Sequence, residues 1–287
     1  MRADLHCHTT LSDGSLGIAE LIAQAKRNEL DCIAITDHDT LSSMSRANVL
    51  GKRYGVSVIP AVEFSAYDGK RGNKAHILCY NPKNPDRLEG LCLRTCESRK
   101  ARGKAMAMRI IENYPITLEN IAKYSAGSKG IFKSHIMHAL MDYGYATELY
   151  GEVYSKLFGL EGLCGDIVAN ETQEYPEVKF VCRLIRSAGG VAVLAHPRVY
   201  DNFDLAEELA QEGLIDGVEV WHSSIYFGAN RETETERLLS VAQEHDLLTT
   251  GGSDFHGFYN YYEVPLGKFT TPIESLNRIL KRKEVKI

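Results

Sequence analysis

Nine side chains able to ligate a metal fall where short apolar runs of this chain end. The runs and their tails read D-L-H-C-H, S-D-G, T-D-H-D, V-E-F, A-H-I, A-H-P and S-D-F-H. They supply His6, His8, Asp13, His38, Glu63, His76, His196, Asp254 and His256. A single histidine at a strand end is usually a hydrogen-bonded core residue. Six of the ten histidines in such places, each near an Asp or Glu, point instead to one shared site. A fold that serves them must bring seven separated segments to one face, as converging strand ends do. Imidazole with carboxylate suits divalent Mn, Fe or Zn. Nine ligands exceed what one tetrahedral ion can use, so two to three metal ions are expected. Such centres hydrolyse phosphate esters.

The chain pattern fits this demand. Residues 3–8 read as a strand with His6 and His8 on one face. Ser15 reads as the N-cap of a helix over I-A-E-L-I-A-Q-A-K. Strands follow at 32–36, 56–63 and 75–80, with a helix over 42–54. After the loop signal N-P-K-N-P at 81–85, residues 86–174 are helical in pattern. Alternation resumes with a helix to 187, the strand V-A-V-L-A-H-P, a helix over 205–212 and a strand at 216–221. A helix over 229–245 and a last strand before S-D-F-H complete it. The expected fold is α/β: an irregular (β/α)7-type barrel of residues 1–83 and 175–287. A small helical substrate-binding domain over 84–174 is inserted into it.

Composition excludes several classes. Hydrophobic content of 44% and charged content of 25% are those of a globular protein. No apolar run approaches the ~20 residues of a membrane span. The start M-R-A-D-L-H lacks the apolar region of a signal peptide, which predicts a cytoplasmic protein. The seven cysteines form no framework. Cys32 and Cys79 read as buried small hydrophobes, and Cys7 must point away from His6 and His8. A net charge of −5 argues against a broad nucleic-acid surface but allows a local basic pocket. No obligate protein partner is implied.

H-C-H near the start, T-D-H-D, Glu63, A-H-P and the late S-D-F-H together resemble the PHP (polymerase and histidinol phosphatase) family. The resemblance covers residues 1–80 and about 180–260. The insert, with K-S-H-I, resembles a branch holding nucleoside 3′,5′-bisphosphate phosphatases and 5′-3′ exoribonucleases. It implies a PHP fold and a trinuclear site. His6 and His8 would hold one metal with Glu63 and Asp254. Glu63 would bridge to a second on His76 and His196. Asp13, His38 and His256 would hold the third. Of the flanking acids, Asp37 or Asp39 would orient a ligand imidazole; alternatively Asp39 caps the following helix.

No GxSxG or similar nucleophile motif is present, so a covalent intermediate has no support. The expected chemistry is direct attack by a metal-bound hydroxide, with Asp254, His196 and Glu63 as catalytic residues and Asp254 orienting the water. His222 is a candidate acid for the leaving oxygen. Arg94, Arg99, Lys100, Arg102, Lys104 and Arg109 crowd one helix. Arg99 and Arg102 share a face and can fork onto a second phosphate. Lys133, Ser134 and His135 begin another helix, where amides favour anions. Arg198 is placed to clamp the reacting phosphate, and one of the tyrosines over 143–154 to stack on a base. The leading expectation is hydrolysis of a phosphomonoester of a small nucleotide such as a 3′,5′-bisphosphate. The alternative is a 5′-3′ exoribonuclease on short RNA. A histidinol-phosphate-type phosphatase and a non-catalytic metal-binding module are minor alternatives.

Overall fold

A computed structural model describes residues 1–170 and 174–281. Seven strands form one sheet in chain order: β1 (Ala3–Cys7), β2 (Cys32–Ile35), β3 (Ser57–Asp68), β4 (Asn73–Tyr80), β5 (Val191–Leu194), β6 (Gly217–Trp221) and β7 (Leu248–Gly251). Just past β7, the Phe255 amide donates to His6 and its carbonyl accepts from His8, which closes the sheet into a barrel. Helices α1 (Ile18–Arg27) and α2 (Met44–Tyr54) follow β1 and β2. The insert comprises α3 (Asp86–Asn113), α4 (Leu118–Tyr124), α5 (Lys133–Asp142), α6 (Glu152–Phe158) and α7 (Gly165–Ala169). Then come α8 (Val178–Ser187), α9 (Phe203–Gln211), α10 (Ser223–Tyr226), α11 (Arg231–Glu244) and α12 (Ile273–Lys281).

The barrel is not built of repeated βα units throughout. β4 runs antiparallel to both β3 and β5. β3 and β4 form a long hairpin in which Glu63 pairs with Leu78 and Ser65 with His76. Glu63 and His76 therefore lie inside hydrogen-bonded strands and not at strand ends. A bridge between His38, just beyond β2, and Glu63 shows that both stand at the rim. The hairpin continues above that level.

Local chemistry moved some boundaries. The side chain of Glu20 accepts from the Gly17 amide at 2.7 Å, so α1 starts there and not after Ser15. The Ser15 hydroxyl instead accepts from the Phe258 amide, 2.8 Å away. α1 buries Leu21, Ile22 and Ala25 against Cys7 and Ile33. Cys32 and Cys79 are fully buried thiols, and Cys7 packs in that outer cluster with α1. α12, which the sequence reading did not identify, buries Leu276 and Ile279 beside Leu5 and Tyr80.

The insert has its own apolar core, including Ile110, Ile121, Ile136, Met137, Leu140 and Phe158. α3 belongs to both units. Leu88, Leu91 and Cys92 pack in the barrel core, whereas Met106, Ala107 and Ile110 pack in the insert core. A Cβ at Gly103 would lie 2.2 Å from the Ile131 carbonyl oxygen. The glycine lets the segment before α5 approach α3, which sets Phe132 and Lys133 beside Arg99 and Arg102.

Candidate active site

All nine expected ligands converge on the barrel rim. Four groups have ligand atoms within 4.8 Å of one another: His8, Asp13, His38 and His256; His6, Glu63 and His196; His6, His8 and Asp254; His38, Glu63 and His76. Glu63 joins two groups, as a bridging carboxylate would. His8 joins Asp13, His38 and His256, which widens the third set implied by the resemblance.

The donor atoms fit a metal centre on two grounds. Six of them, His6 Nε2, His8 Nε2, Asp13 Oδ1, His38 Nδ1, Glu63 Oε2 and His196 Nδ1, are buried without a hydrogen-bond partner. Orphaned buried polar atoms are costly unless something else satisfies them. Second, the far sides of several rings are anchored. His6 Nδ1 lies 3.0 Å from a Glu219 oxygen, and His256 Nδ1 donates to the Asp254 carbonyl at 2.7 Å. Such contacts leave Nε2 as the lone-pair atom facing inward.

Electrostatics reflect this crowding. Burial alone would raise the Glu63 pKa, yet His38, His76 and His6 hold it well below the usual carboxylate range. Burial likewise works against ionised Asp254, but His6 and His256 keep it well below that range. Burial would lower His8, but Asp254 and Glu63 hold it up to about 10. The backbone is strained here too: Asp39, His196 and Asp254 have φ of 53°, 26° and 48°. Non-glycine residues held in such conformations are often fixed by functional sites.

Glu219 was missed in the sequence, where it looks like a charge in the apolar strand V-E-V. It is fully buried in β6, contacts His6 Nδ1 and accepts from the His196 amide at 2.9 Å. It thus orients one ligand ring and fixes the loop of another. Glu219→Gln is expected to lower metal affinity or turnover by about 10- to 100-fold, as outer partners of ligand histidines do. Metal titration and steady-state rates check this.

The flanking acids do neither of the jobs expected. Asp37 accepts from the Thr9 amide and hydroxyl and from the Ser12 hydroxyl, so it clamps the loop after β1. Asp39 accepts from Ser65 and Arg99. It does not cap α2, which begins at Met44.

A cavity of about 540 Å³ opens over the ligands and is lined by Asp13, His38, Glu63, His196, Arg198, His222, Asp254 and several tyrosines. A second, of about 180 Å³, shares Asp13, His38, His76, Tyr150, Tyr154 and Tyr200 with it and adds Arg99, Arg102, Lys133 and Ser134. Arg99 lies over the Phe132 ring at 4.8 Å and also bonds Ser65 at 2.7 Å. Arg102 is buried between Glu174 and Tyr175. The Ser134 hydroxyl is buried without a partner. His135 is turned away: its Nδ1 accepts from the Phe132 amide at 3.2 Å and caps α5. Burial pushes its pKa down to about 4, so it is neutral at pH 7. Of the other cations on α3, Arg87 donates to the Ser187 carbonyl, Arg109 pairs with Asp166 inside the insert, and Arg94, Lys100 and Lys104 are exposed.

His222 stands beside Asp254, with Nε2 to Oδ2 at 3.4 Å. The Ser224 amide donates to its Nδ1, so the neutral ring carries its proton on Nε2, toward Asp254. Among the described residues, no helix is long and apolar enough to cross a membrane.

Comparison with known proteins agrees with this geometry. The chain is 34% identical over 274 residues to the phosphoribosyl 1,2-cyclic phosphate 1,2-diphosphodiesterase of Eggerthella lenta, covering 95% of this chain and 100% of that one. It is 26% identical over 264 residues to the 3′,5′-nucleoside bisphosphate phosphatase of Chromobacterium violaceum, covering 88% and 86%. It is 27% identical over 281 residues to a 5′-3′ exoribonuclease of Haemophilus influenzae, covering 95% and 96%. A solved structure of a candidate metal-dependent phosphoesterase from Bifidobacterium adolescentis superposes with a TM-score of 0.80 at 28% identity, covering 99% and 97%. Residues 4–173 match the PHP domain. With its ligand-rimmed seven-stranded barrel, the chain belongs to the PHP family and is a metal-dependent phosphoester hydrolase.

Proposed function

We propose that the chain hydrolyses a phosphate ester on a small phosphorylated ribose, holding the scissile phosphate over the ligand floor and a second phosphate on the wall of Arg99, Arg102, Lys133 and Ser134. The observation that carries this is the pair of adjoining cavities, one floored by metal ligands and the other walled by cations. The names of the Eggerthella and Chromobacterium relatives both describe a ribose bearing two phosphates. This widens the nucleotide expected from the sequence to phosphoribosyl compounds.

The floor would take two to three divalent ions, Mn, Fe or Zn, on His6, His8 and Asp254, on Glu63 with His76 and His196, and on Asp13, His38 and His256. Bound there, such ions would neutralise phosphoryl charge and bring a water pKa near neutrality. The protein's own part is proton handling and orientation. Asp254 has one oxygen within 3.3 Å of His6 and His8 and the other facing His222. It can accept a proton from the attacking water and pass it to the leaving oxygen, toward which the Nε2–H of the neutral His222 ring can donate a hydrogen bond. Arg198 would hold a non-bridging oxygen of the reacting phosphate.

A second reading is 5′-3′ cleavage of short RNA. It is favoured by the aromatic rings at the mouth: Tyr261 lies 5.0 Å from Tyr150 and 4.9 Å from Tyr262. Such rings can stack successive bases.

The test compares hydrolysis by Mn²⁺-supplemented protein of phosphoribosyl 1,2-cyclic phosphate, adenosine 3′,5′-bisphosphate, 5′-AMP and a short 5′-phosphorylated RNA. Preference for one of the first two supports the proposal. Faster release of mononucleotides from the RNA overturns it. In the preferred small substrate, Arg102→Ala should raise KM about tenfold, the scale of a lost charge-assisted contact, and leave a generic aryl phosphate unchanged. Equal effects on both would remove Arg102 from the second-phosphate wall.

A further inference from the structure

We propose that Glu234 is a positioning residue that tethers Arg198 over the active-site cavity, a role resting on the reading of Arg198 as a phosphate contact. Arg198 lies in the turn after β5, two residues beyond the ligand His196, and lines the 540 Å³ cavity. Its Nη1 donates to Oε1 of Glu234, in the first turn of α11. The Glu234 side chain is 14% exposed, and its other oxygen is buried without a partner. Among the described residues, Arg198 makes no other ion pair.

The pair is therefore one-pronged. A guanidinium has five N–H donors in a fixed fork, and this contact uses one edge of it. The rest of the fork remains for an anion in the cavity. A burial this deep is unfavourable for a carboxylate unless a cation compensates it. The contact restricts the long arginine side chain to the cavity wall. The tether has a second use when the floor is loaded with divalent cations. A free guanidinium would then be pushed away from the floor, and the Glu234 charge opposes that drift.

Gly228 supports the same device. A Cβ there would lie 2.7 Å from Arg198 Cζ and Nε. The absence of a side chain lets the guanidinium plane lie against the backbone between α10 and α11. Alanine at 228 would displace the arginine without changing any charge. The clash falls on the far end of a flexible side chain, so the fold is not expected to suffer.

The experiment measures inorganic phosphate affinity of the metal-supplemented enzyme by calorimetry, alongside kcat and KM. The variants are Arg198→Ala, Glu234→Ala, Glu234→Gln, Gly228→Ala and the Arg198→Ala/Glu234→Ala double. Arg198→Ala and Glu234→Ala are each expected to weaken phosphate about tenfold, within the range for breaking a charge-assisted contact. The double should bind no more weakly than Arg198→Ala, because Glu234 acts only through the arginine. Glu234→Gln, which keeps an acceptor and fills the same space, should recover part of the loss. Gly228→Ala should reproduce Glu234→Ala. An unchanged affinity in Arg198→Ala would remove Arg198 from the substrate site and the proposal with it. A normal loss in Arg198→Ala, with Glu234→Ala either silent or additive in the double, would overturn the tether and leave the reading of Arg198 standing.

Discussion

Glu63→Gln should lose turnover by more than about 100-fold, the upper size reached even by partners one step removed from a metal. The substitution is isosteric, so the side chain still fits its place in β3. What changes is charge. Glu63 is 1% exposed, and its carboxylate lies within 3.3 Å of nitrogen atoms on His6, His8, His38, His76 and His196. It is the one acid shared by two of the ligand groups. An amide there can donate or accept a hydrogen bond but is a poor ligand for a divalent ion. Elemental analysis should show at least one metal equivalent lost, with the circular dichroism spectrum preserved. Full metal content and normal turnover would mean that Glu63 is not a bridging ligand.

The second large effect is expected at Asp254. Asp254→Asn should reduce kcat by about 10²- to 10³-fold, the range seen when a group that stabilises or orients the reacting centre is removed. Asp254 lies beyond β7 at a positive φ, a backbone that asparagine also tolerates. The variant should therefore fold. Its side chain would keep the approximate shape but lose the charge that His6 and His256 hold in the ionised state. The Nε2–H of His222 would also face a neutral amide where it now faces a carboxylate oxygen. If kcat stays within a factor of a few of wild type, neither the water nor His222 depends on Asp254.

The two residues illustrate what could be read from sequence. Histidine and carboxylate side chains are chemically conspicuous, and their recurrence after apolar runs marked all nine positions that the structure gathers. Seven strands and the run of helices between β4 and β5 were legible for the same reason: apolar periodicity is written in side chains. Strand direction is not. Residues 75–80 look alike whether the strand runs up or down, so the antiparallel hairpin that carries Glu63 and His76 was read as two ordinary strands. The reach of β3 to Asp68 was hidden because the strand continues above the barrel with polar residues. Glu219 was hidden by its apolar neighbours, although a lone acid within a buried strand is itself a signal. His135 carried a misleading one. Its place at the start of α5 resembled an anion site, but a histidine three residues after the helix boundary can close the N-terminus with its own ring. The acidic partners of Arg99, Arg102 and Arg198 come from distant segments and had no local trace.

α3 has a consequence for how substrate preference can drift. One end of this helix is fixed in the barrel and the other in the insert, while Arg99 and Arg102 lie between the two cores. Swapping one aliphatic residue for another at Met106 or Ile110 would re-seat the insert and shift both guanidinium groups relative to the ligand floor. Neither substitution touches a polar atom of the cavity. Descendants of one ancestral enzyme could therefore part ways over which phosphate spacing they accept through changes in grease alone.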